Sequence, residues 1–154
     1  MSDQTSRAAS GDWRRALDGL EFFERVMSGE IASAPMATLL GLRITEVARG
    51  RIVIAGTATE QFYNGLGIAH GGFAATMLDT ALGCAINTMQ PAGRVFTTLE
   101  LKVNYTRPLT RESGELRCEA TVLHAGSRTA TAEGRILDAH GRLCAHATTT
   151  CIVA

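Results

Sequence analysis

The chain lacks several features that would assign it to a class at once. Fifteen lysine and arginine residues balance fifteen aspartate and glutamate residues, so the chain has no net charge at pH 7. A protein that binds duplex nucleic acid needs a basic surface, and we therefore expect no nucleic-acid partner. Hydrophobic residues make up 45% of the 154 residues and charged residues 19%, which excludes a disordered chain and indicates one folded core.

Metal-binding and targeting motifs are also missing. The four cysteines have no C-x-x-C spacing and the four histidines are scattered, so we expect reduced cysteines and no metal site. No basic segment followed by an apolar run opens the sequence, and we expect a cytoplasmic protein. Residues 65–86 are nearly free of charge, but Asp79 and five glycines within them favour a buried helix over a membrane span.

Helical periodicity comes first along the chain. Apolar residues recur every three or four positions from Asp12 to about Ser28, which predicts an amphipathic helix on which Glu21 and Arg25 can pair. The segment from Pro35 to Gly41 is typical of a short helix. We assign residues 1–34 to a leader with its amphipathic helix, and residues 35–154 to one domain.

After Gly41 the apolar pattern indicates strands around one further helix. It predicts strands over 42–47 and 51–60, a glycine-rich loop over 61–72, an apolar helix from Gly72 to Met89, and strands over 95–107, 114–125, 128–138 and 142–153. In the strand over 95–107, strict alternation places Leu99 on the apolar face and Thr98 on the polar face. This order predicts an α+β fold in which an antiparallel sheet curls around the apolar helix.

Asp79 is the strongest single indication of chemistry. It is the only formally charged residue between Ile68 and Met89. A carboxylate in an apolar helix is destabilising unless it is hydrogen-bonded or faces a wet cleft, and such a group is a candidate general base. A bond to a neighbouring backbone group or to Thr80, or an exposed position, would explain Asp79 without any catalytic role.

The loop before the apolar helix carries the other candidates. Gly71 and Gly72 enter the helix, where the first N–H groups have no intrahelical acceptor and favour negative charge. In acyl transfer, a backbone donor at this position would form an oxyanion hole. Asn64 could orient a carbonyl group or a water. Asn64-Gly65 is equally typical of an ordinary turn, and His70 of an ordinary helix cap.

In combination, these residues resemble the motif of hotdog-fold thioesterases, most closely of the PaaI-like (phenylacetic acid degradation-type) branch. The resemblance covers about residues 35–153. It implies a hotdog fold, in which a curved antiparallel sheet wraps around one long helix. The matching positions are Asn64, His70-Gly71-Gly72, Asp79-Thr-Ala-x-Gly83, Asn104-Tyr-Thr-Arg-Pro108 and Gly126-Ser-Arg128.

The resemblance also implies hydrolysis of acyl-CoA thioesters without any cofactor. Asp79 would be the nucleophile or the general base, and the N–H of Gly71 would form the oxyanion hole. His70 would hold the loop or polarise the carbonyl, Asn64 would position the thioester or the water, and Thr98 would bond the water or the carboxylate. Further candidates for substrate binding are Tyr63, Gly72, Phe73, Arg107 and Arg128, with Phe62, Leu66, Met77 and Phe96 as additional pocket residues and Arg111 as a third arginine for the phosphates of coenzyme A.

In this family two subunits build each site, which predicts a homodimer and, through packing of two dimers, a homotetramer. Asp79 and Thr98 would come from one subunit and the loop from Asn64 to Gly71 from the other. Two other functions fit the same fold, namely an enoyl thioester hydratase and an acyl-CoA-binding protein without turnover. The sequence leaves open the acyl group, the tetramer packing and the role of the N-terminal helix.

Overall fold

The computed structural model describes residues 13–154. Its helices are α1 (Trp13–Ala16), α2 (Gly19–Ser28), α3 (Pro35–Leu39) and α4 (Gly71–Asn87). Its strands are β1 (Arg43–Ala48), β2 (Arg51–Thr57), β3 (Phe96–Tyr105), β4 (Glu115–Ala125), β5 (Thr129–Leu137) and β6 (Leu143–Val153). Short 3₁₀ turns lie at Glu60–Phe62 and Arg111–Ser113.

The six strands form one antiparallel sheet in the order β1-β2-β4-β5-β6-β3. The sheet curves around α4, which contacts β2 to β6. Met77, Leu78, Ala81 and Leu82 of α4 are fully buried against it. The predicted α+β arrangement of a sheet around one apolar helix is therefore confirmed. Strand β3 lies at one end of the sheet and pairs only with β6 among the described strands.

The element boundaries agree with the sequence prediction to within one or two residues, with two exceptions. The strand predicted over 51–60 ends at Thr57, because the chain turns into a 3₁₀ helix at Glu60. The helix predicted from Asp12 to Ser28 is divided into α1 and α2, and Asp12 lies outside the described residues.

The division of the N-terminal helix follows from its packing. The side chain of Asp18 caps α2 by accepting a hydrogen bond of 2.9 Å from the N–H of Glu21. Gly19 then approaches the end of α4 so closely that a Cβ atom would lie 1.7 Å from the carbonyl oxygen of Asn87. The backbone thus leaves the helical path to meet α4. The predicted pairing of Glu21 with Arg25 is confirmed, with an N–O distance of 2.6 Å.

None of the helices in the described part of the chain is both long and apolar enough to cross a membrane. Within residues 13–154 there is no group of three or more histidine, cysteine, aspartate or glutamate side chains that could hold a metal ion. The four cysteines are all free thiols.

Candidate active site

Asp79 lies halfway along α4, on the side that turns away from the buried core. Its side chain is half-buried, and the hydroxyl of Thr98 on β3 donates a hydrogen bond of 2.9 Å to its Oδ1 atom. The structure therefore brings together two residues that are nineteen positions apart in the sequence. One carboxylate oxygen is held by this bond, and the carboxylate is not sealed in the core.

A β-bulge in β3 explains how Thr98 reaches Asp79. The pairing of β3 with β6 shifts between Thr98 and Glu100, so Leu99 is an extra residue on the edge strand. Leu99 is 60% exposed, and the prediction that it faces the core is wrong. Strict alternation fails here because the bulge puts two consecutive residues on the solvent side, which turns Thr98 toward α4.

Two residues of β6 support the bulge from the inside of the sheet. The hydroxyl of the buried Thr149 donates a hydrogen bond of 2.6 Å to the carbonyl oxygen of Glu100. The thiol of Cys151 lies 3.9 Å from the Thr98 hydroxyl. Burial raises the pKa of Cys151, although the bond to Thr98 opposes this shift. The thiol therefore stays protonated and donates to Thr98, which in turn donates to Asp79.

The loop that contains Asn64 is built by local hydrogen bonds. The side-chain oxygen of Asn64 accepts a bond of 2.9 Å from the N–H of Leu66, and its backbone N–H donates to the carbonyl of Ile68 at 2.8 Å. This is an Asx turn, as Asn64-Gly65 suggests. The turn uses only the oxygen of the side-chain amide.

His70 caps the N-terminus of α4. Its Nδ1 atom accepts a hydrogen bond of 2.9 Å from the N–H of Gly72, and its backbone N–H donates to the carbonyl of Phe62 at 2.8 Å. Gly71 is the first helical residue, and its N–H has no intrahelical acceptor. The cap thus satisfies the second helical N–H and leaves the first one at the positive end of the helix dipole.

Tyr105 holds Gly71 from the far end of β3. Its hydroxyl donates a hydrogen bond of 3.0 Å to the carbonyl of Gly71. A Cβ atom on Gly71 would lie 3.2 Å from the Tyr105 ring, so glycine allows a close approach of the two residues. This role of Tyr105 was not among the sequence predictions, and the only signal for it is that Tyr105 belongs to the Asn104–Pro108 motif that carries part of the resemblance.

A cavity of about 450 Å³ opens beside this loop. Its lining includes Asn64, His70, Gly71, Tyr105 and Arg107. Arg107 therefore borders the same cavity as the loop residues. Arg128 lies in the turn between β4 and β5 and is absent from the lining of this cavity.

Several other candidates make structural contacts. The hydroxyl of Tyr63 accepts a hydrogen bond of 2.6 Å from the N–H of Arg111. The ring of Phe73 is buried and stacks on Phe62 with ring centroids 4.8 Å apart. The carbonyl of Gly72 accepts a bond of 2.8 Å from the hydroxyl of Thr76.

The additional pocket candidates do not lie around one common cavity. Met77 is in the core, Leu66 is 84% exposed, and Phe96 packs against Gly83.

Within one chain the two groups of candidates are separate. Asp79 lies eight residues after Gly71, which is about 12 Å along the helix axis. A carboxylate that acts on a carbonyl carbon must lie within about 3–3.5 Å of the reacting atoms. One chain therefore presents a carboxylate half-site (Asp79 and Thr98) and a loop half-site (Asn64, His70, Gly71 and Tyr105) at different positions along α4.

Comparison with known proteins identifies related sequences. The family model of the thioesterase superfamily matches residues 66–145, which include His70, Gly71, Asp79 and Thr98. A candidate esterase from Halobacterium salinarum is 32% identical over 103 residues, which are 64% of this chain and 66% of that protein, slightly less than two thirds of its length. The proofreading thioesterase EntH from Klebsiella pneumoniae is 28% identical over 109 residues, 71% of this chain and 78% of that protein.

Comparison with solved structures confirms the predicted hotdog fold. A candidate thioesterase from Ralstonia eutropha, described as related to phenylacetic acid degradation, superimposes with a TM-score of 0.78 and is 29% identical. The match covers 85% of this chain and 98% of that one.

Proposed function

The chain belongs to the thioesterase superfamily, and we propose that it is a PaaI-like member that hydrolyses acyl-CoA thioesters to a free acid and coenzyme A. The observation that carries this proposal is the half-buried carboxylate of Asp79, held by Thr98 in an otherwise apolar helix. A helix that served only as a core would be more stable without this charge.

Asp79 can act in two ways at the thioester. As a general base, it accepts a proton from a water whose oxygen adds to the carbonyl carbon, after which the carbon–sulfur bond breaks and the thiolate takes up the proton. As a nucleophile, its own oxygen adds to the carbonyl carbon and displaces the thiolate, and water then hydrolyses the resulting anhydride. In both routes Thr98 holds one carboxylate oxygen and leaves the other for the reaction.

Both routes place negative charge on the carbonyl oxygen, and we propose that the N–H of Gly71 from a second copy of the chain stabilises it. The distance between Asp79 and Gly71 along α4 supports a shared site, because neither half-site can reach the other within one chain. His70 keeps this helix end open and Asn64 positions the thioester or the water.

The position of β3 supports a homodimer. Its outer edge has no neighbouring strand among the described residues, and such an edge favours pairing with another chain. If two β3 strands pair antiparallel about a two-fold axis near Leu101, the end of β3 that carries Thr98 in one copy lies beside the end that carries Tyr105 in the other. Such a pairing brings Tyr105, with the Gly71 that it holds, toward the Thr98 and Asp79 of the first copy.

Two further assignments belong to this proposal. Arg107, exposed at the rim of the loop cavity, is placed to meet the phosphates of coenzyme A. The outer face of the sheet is rich in threonine, with Thr131, Thr148 and Thr150 on neighbouring strands, and favours packing of two dimers into a homotetramer.

The direct test is release of free thiol from a panel of acyl-CoA substrates, with Asp79→Asn prepared in parallel. We expect release by the wild-type protein and a loss of about 10³-fold in Asp79→Asn, with an unchanged circular dichroism spectrum. Tight acyl-CoA binding without thiol release across the panel would identify a binding protein instead. Loss of enoyl absorbance from a 2-enoyl-CoA without thiol release would identify a hydratase.

A further inference from the structure

A second cavity, of about 240 Å³, lies between the N-terminal helices and α4. Its walls are predominantly apolar and come from four parts of the chain. They include Trp13, Phe22, Phe23 and Val26 of α1 and α2, the segment 32–35 with Ala37 and Leu42 around α3, Ile44 and Ile54 of β1 and β2, and Thr80 and Cys84 of α4.

The floor of this cavity is formed by α4 at residues close in sequence to Asp79, and Asp79 and Thr98 themselves are not among its lining residues. Thr80 directly follows Asp79, and Cys84 lies one turn further along the same face of α4. Cys84 is half-buried and lines the cavity. Desolvation raises the pKa of this thiol to about 12, and the negative charge of Asp79 adds to the shift. The floor thus carries no charge of its own, because the Thr80 hydroxyl is bonded to the Thr76 carbonyl and the Cys84 thiol is neutral.

Among the described residues that line the cavity, Arg43 is the only charged one, and its guanidinium group is hydrogen-bonded to the carboxylate of Glu115. The opposite wall is aromatic, since the ring of Trp13 stacks on Phe22 with centroids 3.6 Å apart. Such a lining selects an apolar occupant and disfavours a charged acyl group.

We propose that this cavity receives the acyl group of the thioester, with the carbonyl carbon at Asp79 and the apolar part between α2 and α4. The proposal rests on thioester hydrolysis as the proposed function. An apolar cavity of about 150 Å³ is filled by benzene. A cavity of 240 Å³ therefore has room for a ring with a short linker or an unbranched chain of similar size, such as phenylacetyl or hexanoyl.

The proposal gives the N-terminal helix a function. Helix α2 forms one wall of the cavity and is held in place by its close approach to the end of α4 at Gly19. Its side chains then limit the size of the acyl group, while Asp79 and the Gly71 loop carry out the reaction.

The first experiment reduces the volume of the cavity by a substitution in α2 and leaves the residues of both half-sites unchanged. Val26→Phe adds volume inside the cavity, whereas Met27→Phe changes the adjacent residue, which is 43% exposed and lines no wall of the cavity. We expect the ratio of kcat/KM for phenylacetyl-CoA over acetyl-CoA to fall about tenfold in Val26→Phe and to stay at the wild-type value in Met27→Phe. Cys84→Leu fills the cavity from α4 and should have the same effect if Val26→Phe does not fold.

The second experiment measures the binding of an acyl-CoA analogue that cannot be hydrolysed. Trp13 is the only tryptophan of the chain and lines the cavity, so its fluorescence reports occupancy. A non-hydrolysable thioether analogue of phenylacetyl-CoA should change this fluorescence in a saturable way, and the acetyl and dodecanoyl analogues should not. Val26→Phe should abolish the response.

Different results would contradict the proposal of thioester hydrolysis and the proposal that the cavity receives the acyl group. A Trp13 response to the phenylacetyl analogue with no thiol release from any acyl-CoA contradicts hydrolysis and supports the cavity as an acyl site. Thiol release with a selectivity that Val26→Phe and Cys84→Leu leave unchanged, or equal preference for acetyl and phenylacetyl groups, overturns the cavity proposal.

Discussion

The middle and the N-terminal end of α4 hold their functional groups in different ways. At the N-terminal end, the loop half-site is built from contacts between near neighbours, such as Asn64 with Leu66 and His70 with Gly72. In the middle, Asp79 is positioned by Thr98, and Thr98 is turned inward by a bulge that β6 supports. Apart from the bond from Tyr105 to Gly71, the loop half-site is a local structure, whereas the carboxylate half-site depends on the tertiary fold.

The carboxylate half-site depends on one long-range contact, the hydrogen bond from Thr98 to Asp79. Thr98→Val keeps the shape of the side chain and removes the hydrogen bond to a charged group, which is worth about 1.5–3 kcal/mol. We expect kcat in the thiol-release assay to fall about 10- to 100-fold. Thr98→Ser, which retains the hydroxyl, should remain close to the wild type. Equal activity of the valine and serine variants would show that Thr98 does not act through its hydroxyl.

The long-range contact within the loop half-site is the hydroxyl of Tyr105 on the carbonyl of Gly71. Tyr105→Phe removes this bond and keeps the ring that lies against Gly71. We expect kcat to fall about tenfold, because the Gly71 backbone loses one of its fixed positions. A mainly structural role would instead lower the melting temperature and leave kcat unchanged, so both quantities are measured.

These expectations also show how much of the molecule could be predicted from the sequence. The strands, the central helix, the Asn64 turn and the His70 cap follow from periodicity and near-neighbour chemistry. The bulge at Leu99 could not be predicted, since alternation gives no sign of an extra residue and the supporting Thr149 is fifty positions away. The cavity between the N-terminal helices and α4 could not be predicted either, because its lining residues come from segments that meet only in the folded chain.

Thr149 tests whether the bulge positions Thr98. Thr149→Val removes the hydrogen bond to the Glu100 carbonyl at almost constant volume, and Thr149→Ser restores the hydroxyl. We expect the valine variant to lose about fivefold in kcat with little change in KM, because Thr149 acts through the position of Thr98. Recovery of kcat in the serine variant separates this role from a general loss of packing. If KM and kcat change together in both variants, the bulge is not the cause.

The smallest effect is expected on the outer face of the sheet, far from both half-sites. Hydrogen bonds from Arg117 and Arg135 hold the pKa of Glu119 below its ordinary value. This stabilisation of the folded state is fully present at a pH above the pKa that Glu119 has in the unfolded chain. It is lost as the pH falls through the lower pKa that Glu119 has in the folded chain. Glu119→Gln should leave turnover unchanged, cost less than about 1 kcal/mol at pH 7, and reduce the fall in melting temperature between pH 6 and pH 3. A loss of turnover would connect this face to the site.

The central claim is that each active site combines the carboxylate half-site of one chain with the loop half-site of another, and co-expression of two inactive variants tests it most directly. Asp79→Asn lacks the carboxylate, and Asn64→Ala with His70→Ala lacks the loop groups. In a mixed dimer both defects fall in one site and the other site is intact, so random pairing should restore about one quarter of wild-type thiol release. A mixture that contains mixed dimers by mass spectrometry, yet is no more active than either variant alone, would contradict the shared site.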